Sequence, residues 1–521
     1  MWNRTEQAAW NRRAFIRSGL ALATAPWWAS TALARVKKEV KLKDYPFQLG
    51  VASGEPTPTG IVLWTRLAPD PLNGGGMPAD DVEVTWVVAH DEAMQKVVKK
   101  GQVLAHADLA HAVHVEVEGL EPNRWYWYQF HVSKDSSPVA RTRTAPAADD
   151  AVQAFHFAFA SCQHYESGLF TAYQHMAREP LDLIVHLGDY IYEGAAGSKG
   201  VRQHVGKELE TLEDYRNRHA QYKTDPHLQQ AHAACPWLVT WDDHEFDNNC
   251  AGDHSEQPNV KAEDFLRRRA AAYRAYYEHM PLRRSCLPQG PDMLLYRRVS
   301  FGDLVDFKVL DTRQYRTAQP CGDGNKPPCQ DVYDPNATLL GKAQREWLIQ
   351  QLEKSPARWN VLAQQVMMGR VDRTPGDVVA WSMDQWPGYD VERKALLKFI
   401  SERKVSNPIV LTGDIHTNWV NDLQVDFDQP TDPVVATEFV GTSISSGGDG
   451  APTRADTAGV LAENPFVKFY NAERGYVSCS LSPTLWRSYY RTTPFVSRPD
   501  SPVVTRATFV VENGQAGAKP G

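Results

Sequence analysis

The sequence predicts an α/β fold for most of this 521-residue chain, preceded by a smaller β-sandwich of the fibronectin or immunoglobulin type. Residues 45–144 contain short runs of β-branched and aromatic side chains separated by turn residues, which is typical of a sandwich. From residue 155 onward, apolar strands alternate with helical stretches, as in α/β folds. Several of these later strands end in polar clusters, the place where ligands collect in open α/β sheets.

The first 34 residues predict a signal peptide for the twin-arginine export machinery. Arg12 and Arg13 precede a mildly apolar run, residues 18–32, and Ala32-Leu33-Ala34 has the small-x-small pattern of a cleavage site. The run is shorter than the roughly 20 residues that a membrane-spanning helix needs, so no stable membrane span is expected. An amphipathic N-terminal helix is the alternative. We therefore expect the mature protein in the periplasm or in the medium.

The N-terminal β-sandwich domain is predicted over residues 35–145, starting with a charged lead-in. The expected strands are rich in β-branched and aromatic residues, and the last two alternate with a period of two. These strands are residues 61–67, 82–88, 111–117 and 126–132. Residues 119–126 resemble the turn into a late strand of a fibronectin-like sandwich, and residues 141–150 have the composition of a linker.

The second domain is predicted over residues 150–513, followed by a disordered tail at 514–521. Helices are expected at 168–178 and over a long stretch, 212–234. Strands are expected where short apolar runs are bounded by turn signals. These runs are residues 155–160, 181–187, 237–241, 305–310, 359–364 and 408–411.

Composition and charge exclude some classes of function. With 42% hydrophobic and 23% charged residues, the chain matches an ordinary globular protein. A formal net charge of −7 without a long basic run gives no electrostatic basis for binding duplex nucleic acid. Among the seven cysteines, Cys321 and Cys329 bracket a Gly/Pro-rich loop that a disulfide could close in an oxidising compartment. Cys162 is our candidate for a thiol left unpaired.

Four groups of potential metal ligands directly follow predicted strands. They are Cys162, Asp189 with Tyr192, Asp243 with His244, and Asp414 with His416. Taken alone, each has a structural explanation, because a lone cysteine is commonly a small buried hydrophobe and an aspartate can cap a helix. Their joint occurrence at strand ends of one domain favours a polynuclear metal centre. Thiolate, phenolate and imidazole suit Fe(III), whereas carboxylate and amide oxygens suit Ca²⁺ or Mg²⁺.

The same motifs, in this order, resemble those of the alkaline phosphatase D (PhoD-type) family within the calcineurin-like metallophosphoesterase superfamily. The resemblance implies a metallophosphoesterase-type α/β sandwich as the catalytic domain. It covers most of the mature chain, because residues 50–54 and 62–66 match the N-terminal domain and residues 310–316 and 438–443 match later blocks. The motifs that carry it are Ala160-Ser161-Cys162-Gln163, Gly188-Asp189-Tyr190-Ile191-Tyr192-Glu193, Trp241-Asp242-Asp243-His244-Glu245 and Gly413-Asp414-Ile415-His416.

The resemblance implies Fe(III) and Ca²⁺ as cofactors. Matched to the family motifs, the iron ligands are Cys162, Asp189, Tyr192 and His416, and the calcium ligands are Asp243, Asn249 and Asp414. Asp189 would bridge the ions. The spacing agrees in part, because Asp189 and Tyr192 reach one ion if the chain turns helically after Gly188. Asp414 and His416 would lie on one side of an extended turn.

The implied function is an exported phosphoesterase that hydrolyses phosphomonoesters, with phosphodiesters as further substrates, through a metal-activated hydroxide. His244 is the candidate for protonating the leaving group or stabilising charge, although it could instead orient the Asp243 region. Arg313 could bind phosphate oxygens through its planar guanidinium group or could form an ion pair. We expect Asp242, Glu245 and Asp247 to hold the metal ligands in position or to cap local structure.

Two alternatives remain open at this stage. One is a phosphodiesterase or phospholipase D-like hydrolase that uses the same site. The other is a non-catalytic exported protein whose sandwich binds a cell-wall polymer. The substrate of the enzyme could be a small phosphoester or a polymer.

Overall fold

The computed structural model describes residues 40–429 and 431–521. The predicted signal peptide, residues 1–34, lies outside these residues. Within them, no helix combines the length and the apolar character needed to cross a membrane.

The N-terminal region is built from strands, and each of the four that the sequence predicts is present. In the strand that begins at Trp125, every second side chain is buried, as the period of two predicts. Four strands were not predicted: Val51–Thr57, Val97–Ala105, Asp135–Ser136 and Ala140–Arg143. In Val97–Ala105 only one side chain is buried, so no apolar alternation marks the strand. The strands are β1 (Val51–Thr57), β2 (Gly60–Arg66), β3 (Val82–Ala89), β4 (Val97–Ala105), β5 (Ala112–Glu118), β6 (Trp125–Val132), β7 (Asp135–Ser136) and β8 (Ala140–Arg143).

The second region alternates strands and helices. Its strands are β9 (Phe155–Ala160), β10 (Leu183–His186), β11 (Trp237–Val239), β12 (Arg297–Phe301), β13 (Val305–Val309), β14 (Asn325–Lys326), β15 (Trp359–Ala363), β16 (Trp381–Ser382), β17 (Pro408–Thr412), β18 (Asn418–Gln424), β19 (Val434–Val440), β20 (Val467–Asn471), β21 (Arg474–Leu481), β22 (Leu485–Thr493), β23 (Val504–Glu512) and β24 (Lys519–Pro520). Its α-helices are α1 (Thr171–Met176), α2 (Leu212–Lys223), α3 (Pro226–Ala234), α4 (Ala262–His279), α5 (Gly341–Lys354), α6 (Asp390–Glu402) and α7 (Thr457–Glu463).

Two large mixed sheets organise the second region. The first has the order β24-β23-β22-β21-β9-β10-β11-β1-β2-β5, and the second has the order β12-β13-β15-β17-β19-β18-β20. Strands β9, β10 and β11 run parallel in the first sheet, and β13, β15, β17 and β19 run parallel in the second. The carboxyl ends of these parallel strands therefore open toward one region of the molecule, as the α/β prediction requires.

The second region has four layers. Apolar side chains of both sheets, among them Phe157, Phe307 and Trp486, form the core between them. Helices α1 to α4 pack on the outer face of the first sheet, and α5 and α6 pack on the outer face of the second. This arrangement is the predicted α/β sandwich, in which each helix buries its apolar side against a sheet.

The N-terminal strands form the predicted sandwich, but one of its sheets is shared. Apolar side chains of β1, β2 and β5 pack against those of β3 and β6 to form a core. At its other edge, β1 pairs in parallel with β11 through Gly54 and Trp237, so the sandwich continues the first large sheet. A Cβ at Gly54 would lie 2.6 Å from the Pro281 carbonyl oxygen and 2.7 Å from that of Trp237, so this junction requires glycine.

Two sequence predictions differ from the structure. The expected helix over 212–234 is two helices, because Asp225 caps α3 by accepting from the N–H groups of His227 and Leu228, and Pro226 begins that helix. The tail at 514–521 is ordered, since β24 pairs with the edge strand β23 and the Gly514 N–H donates to Asn407 Oδ1. The edge strand of a sheet has unpaired backbone N–H and C=O groups, and the tail forms hydrogen bonds with them.

Candidate metal centre

The candidate metal ligands stand directly after parallel strands of the two sheets. Cys162 follows β9, Asp189 follows β10 and Asp243 follows β11, all in the first sheet, while Asp414 follows β17 in the second. The two sets of strand ends lie close together, since a Cβ at Gly413 would come within 2.6 Å of the Ser161 hydroxyl. Residues far apart in the chain therefore meet at one edge of the sandwich.

Five of the seven candidate ligands have a left-handed backbone. Their φ angles are 58° at Cys162, 56° at Asp189, 44° at Asn249, 64° at Asp414 and 56° at His416. Residues other than glycine rarely adopt this conformation, which costs on the order of 1–3 kcal/mol and clusters at functional sites. The structure differs from the two expectations about the local backbone. Asp189 and Tyr192 converge without a helical turn, and the turn that holds Asp414 and His416 is not extended.

The first group of ligands brings four different donors to one point. The ligating atoms of Cys162, Asp189 and His416 all lie within 4.8 Å of one another. The Tyr192 hydroxyl lies 2.9 Å from Oδ2 of Asp189 and 3.2 Å from Nε2 of His416. The structure thus assembles the thiol, carboxyl, phenol and imidazole that sequence analysis assigned to a single ion.

Burial favours the neutral forms of this group. It raises the pKa of Cys162, of Asp189 and of Tyr192 well above their ordinary values, and the neighbouring carboxylates and thiol add to this effect. Burial lowers the pKa of His416 to about 3. A thiol, a phenol and a carboxyl bind metals as anions, and a multivalent cation among them supplies the charge that offsets burial.

The second group consists of carboxylates. Oxygens of Asp242, Asp243 and Asp414 lie within 4.8 Å of one another, and Asp243 also groups in this way with Asp189 and His244. Asn249 lies beside them, because its backbone N–H donates to Oδ2 of Asp243 at 2.7 Å. The two groups are therefore continuous through Asp189 and Asp243.

Unpartnered oxygens show where a cation fits. Oδ1 of Asp189, Oδ2 of Asp242 and Oδ1 of Asp243 are buried without a hydrogen-bond donor in the described part of the chain. Buried polar atoms are nearly always paired, so three such oxygens in adjacent carboxylates need an explanation. Hard oxygen donors of this kind bind Ca²⁺ or Mg²⁺, and the residues present therefore fit a metal centre.

Arg313 lies beneath the carboxylates. Its guanidinium is fully buried, with Nε 2.5 Å from Oδ1 of Asp242, Nη1 2.9 Å from Asp384 and Nη2 3.3 Å from Oδ1 of Asp243. Of the two roles considered for it, this position supports the ion pair. A cation fixed among the acids offsets part of their mutual repulsion.

His244 lies at the rim of the centre. Its ring stacks on that of Tyr192 with centroids 4.2 Å apart, and its Nδ1 lies 2.8 Å from Oε2 of Glu193. Burial alone would lower the pKa of His244, but the carboxylates of Glu193, Asp243 and Asp189 together raise it well above its ordinary value. The ring is therefore held in its protonated form beside the candidate ligands.

Glu245 ties two ligand loops together, as its expected supporting role requires. Its Oε2 accepts from the N–H groups of Asp189 at 3.0 Å and Asp242 at 2.8 Å, and its Oε1 accepts from Tyr190 at 2.6 Å. Asp247, at the next turn, pairs with Arg268 at 2.8 Å. Both side chains bind the loops that carry the candidate ligands.

Sequence reasoning missed two residues that touch the ligands. The Ser446 hydroxyl lies 2.7 Å from the Tyr192 phenol oxygen and 2.7 Å from the Cys162 carbonyl. The Gln385 amide donates to Oδ2 of Asp414 at 2.6 Å. Gln385 does not follow a strand of the parallel core, Ser446 lies several residues beyond the end of β19, and no local spacing marks either one. The Ser/Gly run at 445–448 is the only sequence signal near them.

The free cysteines agree with the sequence analysis. The structure contains the disulfide between Cys321 and Cys329, and Cys162 is a free thiol at the candidate centre. The other four cysteines, for which no pairing was assigned, are also free and buried. They are Cys235, Cys250, Cys286 and Cys479.

Comparison with known proteins gives close relatives. Residues 157–490 match the PhoD-like phosphatase family, and residues 31–146 match the N-terminal domain of PhoD-like phosphatases. The chain is 52% identical over 481 residues to alkaline phosphatase D of Bacillus subtilis (strain 168), covering 91% of this chain and 82% of that one. It also resembles a solved structure of PhoD, with a TM-score of 0.90, 52% identity and coverage of 92% and 93% of the two chains.

These relatives decide between the classes of function considered above. Identity of 52% to an alkaline phosphatase across most of both chains confirms the prediction of a phosphoric ester hydrolase. It disfavours the non-catalytic binding protein. The chain belongs to the PhoD-like phosphatase family.

Proposed function

We propose that this protein is an exported, metal-dependent alkaline phosphatase D-like enzyme that hydrolyses phosphomonoesters, with phosphodiesters as a second substrate class. The observation that carries the proposal is the continuity of two ligand groups through Asp189 and Asp243. Adjacent metal sites of this kind are used to clamp both oxygens of a phosphoryl group under attack. Phosphodiester or phospholipid cleavage at the same site remains the alternative chemistry.

The residues divide by donor type into two metal sites. Cys162, Asp189, Tyr192 and His416 would hold Fe(III), and Asp243, Asn249 and Asp414 would hold Ca²⁺, with Asp189 between them. Sulfur, phenol and imidazole donors together suit a strong Lewis acid, and oxygen-only donors suit a hard divalent ion. When bound, such ions activate the attacking water and neutralise charge on the transferred phosphoryl group.

His244 is the proton donor to the leaving group in this proposal. Glu193 accepts from Nδ1, which leaves the proton on Nε2 for the ester oxygen that departs as the P–O bond breaks. The neighbouring carboxylates keep this ring protonated, and stacking on Tyr192 fixes its orientation. A positioned acid of this kind contributes about 10²–10⁴-fold to a rate.

Arg313 is a positioning residue. Its ion pairs hold Asp242, Asp243 and Asp384 in place, while Oδ2 of Asp242 remains without a donor. The fork of an arginine is suited to several carboxylates at fixed angles. Because Arg313 is buried, we expect other residues to contact the phosphate.

Export through the twin-arginine machinery, to the periplasm or the medium, completes the proposal. It rests on the Arg12-Arg13 motif, the apolar run and the small-x-small site of residues 1–34. The disulfide between Cys321 and Cys329 is consistent with an oxidising compartment. Replacing Arg12 and Arg13 by Lys should retain the full-length protein inside the cell, as detected by cell fractionation and immunoblotting.

One experiment tests the metals and the reaction together. We would purify the protein without a histidine tag, determine iron and calcium per chain, and assay p-nitrophenyl phosphate and its bis-ester with and without added Ca²⁺. The proposal expects iron, calcium, visible phenolate-to-iron absorption and hydrolysis of the monoester. A colourless protein that is fully active without iron would overturn the iron assignment, and no turnover of either ester would overturn the function. Faster turnover of the bis-ester would favour the diesterase alternative.

A further inference from the structure

A separate group of potential metal ligands lies outside the candidate metal centre. One ligating atom from each of His164, Glu166 and His204 lies within 4.8 Å of the other two. Glu166 and His204 are buried, whereas His164 is partly exposed, so solvent reaches the group through His164. None of the three is among the seven candidate ligands described above.

An unpartnered nitrogen is the strongest indication of a ligand here. The side chain of His204 is fully buried, and its Nδ1 has no hydrogen-bond partner within residues 40–429 and 431–521. Buried polar atoms are nearly always paired, so this one requires an explanation. Nδ1 lies 3.8 Å from Oε2 of Glu166, which is too far for a hydrogen bond. Two ligands of one zinc ion are about 3.3 Å apart, since each bond is about 2.0–2.2 Å long, so a small movement of either side chain would admit an ion.

Hydrogen bonds fix both histidine rings. Nε2 of His204 lies 3.0 Å from the Tyr222 phenol oxygen, and Nδ1 of His164 lies 2.7 Å from the Ser167 hydroxyl. A metal-bound histidine nearly always makes such a bond through its other ring nitrogen, and this bond sets the orientation of the ring. Burial lowers the pKa of His204 to about 2, so its ring is neutral, which is the form that binds metals.

Glu166 organises the loop that carries His204. Residues 193–211 form no helix or strand, and a loop of this length without regular structure is uncommon and usually functional. Oε1 of Glu166 accepts from the backbone N–H groups of Gly197 and His204, both at 2.9 Å, and the Glu166 carbonyl accepts from Val201 at 2.7 Å. Oε2 accepts from Gly197 at 3.1 Å and has a second lone pair for an ion.

The charges around the group make a carboxylate ligand necessary. The charges of Arg218 and Arg202 also lower the pKa of His204, so both arginines lie near its ring. Arg202 pairs with Asp225 at 2.6 Å, which neutralises much of its charge. The remaining positive charge opposes the binding of a metal cation, and the carboxylate of Glu166 offsets it. Loss of the Glu166 charge should therefore weaken metal binding as much as loss of a histidine.

We propose that His164, Glu166 and His204 form a further metal site, which binds one Zn²⁺ ion. Two imidazoles and one carboxylate are a donor set of zinc sites in which water takes the fourth position, and imidazole suits zinc better than it suits Ca²⁺ or Mg²⁺. The ion would link the segment that follows β9 to the loop 193–211. It would also hold the His164 ring edge to face against that of Tyr192, where the centroids are 4.6 Å apart.

Anomalous diffraction tests the position of the ion. Crystals of the untagged mature protein, with the metals that it retains on purification, would be soaked in ZnCl₂, and data would be collected on both sides of the zinc absorption edge. The inference expects a zinc peak among the three side chains. Zinc peaks only elsewhere in the protein, or no zinc peak at all, would overturn the site.

Calorimetric titration with ZnCl₂ tests the ligands in solution. Loss of one ligand should weaken zinc binding by about 100-fold or more, because loss of a supporting hydrogen bond already costs about 10–100-fold. We expect this weakening in His164→Gln, Glu166→Gln and His204→Gln. Glu166→Gln removes the charge but keeps a carbonyl oxygen for the N–H groups of the loop.

A matched variant and a measure of folding complete the test. His131→Gln, on β6 of the sandwich, is the control, because Nδ1 of His131 also lies beside a serine hydroxyl, that of Ser136 at 2.8 Å. Near-ultraviolet circular dichroism shows whether each variant is folded, and His164→Gln alters a partly exposed position if a change at His204 prevents folding. Native zinc affinity in the folded ligand variants, or an equal loss in His131→Gln, would overturn the inference.

Discussion

The phenol oxygen of Tyr192 lies 3.2 Å from Nε2 of His416, although 224 residues separate them in the chain. Tyr192 follows a strand of the first sheet and His416 follows a strand of the second. Their approach shows that the candidate metal centre is built by the packing of two sheets on each other. Neither sheet alone contains a complete set of ligands.

The phenol of Tyr192 should be the source of colour in the protein. Tyr192→Phe removes the oxygen and keeps the ring against His244, so we expect visible absorption to disappear while the fold is retained. Absorption spectra and iron content of the untagged protein measure this. Tyr489→Phe, at a partly exposed position on β22, is the matched control. An unchanged absorption band in Tyr192→Phe would remove the phenol from the proposed iron site.

The role of His244 can be separated from simple positioning by the choice of leaving group. If its ring donates a proton, His244→Gln should lower kcat for propyl phosphate by about 10²–10⁴-fold. The loss should be much smaller for p-nitrophenyl phosphate, because p-nitrophenolate departs without a proton. Steady-state rates on the two esters test this. Equal losses on both esters would assign His244 to orientation of the Asp243 region instead.

Arg313 should be required for stability as well as activity. Arg313→Met leaves Asp242, Asp243 and Asp384 buried without their shared cation, which for a buried pair costs about 3–5 kcal/mol. The free energy of unfolding in urea measures the loss. Arg267→Met, which breaks an exposed pair with Asp264 on α4, should change it by no more than about 0.5 kcal/mol. Similar values for the two variants would show that Arg313 is not essential to the acid cluster.

Acid should destabilise the protein partly through His114. This residue lies on β5, with its Nε2 3.0 Å from the carbonyl oxygens of Tyr277 and Met280, and burial lowers its pKa to about 4, below the value of about 6.5 for an unfolded histidine. Between these values the unfolded chain binds a proton that the folded protein does not, so stability falls as the pH drops from about 6.5 to about 4. His114→Gln should reduce proton uptake on unfolding by up to about one.

The comparison needs a histidine outside the core. His254→Gln alters a side chain in an exposed loop and should leave the pH dependence of unfolding unchanged. Urea denaturation at a series of pH values gives the slopes for the native protein and both variants. If His114→Gln follows the same slope as the native protein, His114 makes no contribution to acid sensitivity.

Much of the fold follows from local pattern. The alternation in β6 and the apolar run of β9 predict these strands to within one residue, because half-buried and fully buried strands leave different marks in a sequence. The strand β4, with one buried side chain, and the ordered tail at β24 have no such pattern. Their place depends on a neighbouring strand edge, which is a property of the assembled sheet.

The candidate site likewise contains residues that the sequence could identify and residues that it could not. Cys162, Asp189, Asp243 and Asp414 could be identified because each comes directly after an apolar strand. Gln385 and Ser446 could not, because Gln385 follows no parallel strand and Ser446 reaches Tyr192 from a position well beyond the end of β19. The burial of Arg313 also depends on carboxylate partners that are distant in the chain, among them Asp242 and Asp384, each about 70 residues away.

Residue identity and apolar periodicity are local properties, so they reveal the chemical types of the candidate ligands and the strands that present them. The distances between these ligands, their left-handed backbone and the pairing of Arg313 with their carboxylates depend on how distant segments pack together. Packing two sheets face to face places strand ends within a few ångströms of one another, and no property of a single segment specifies that approach.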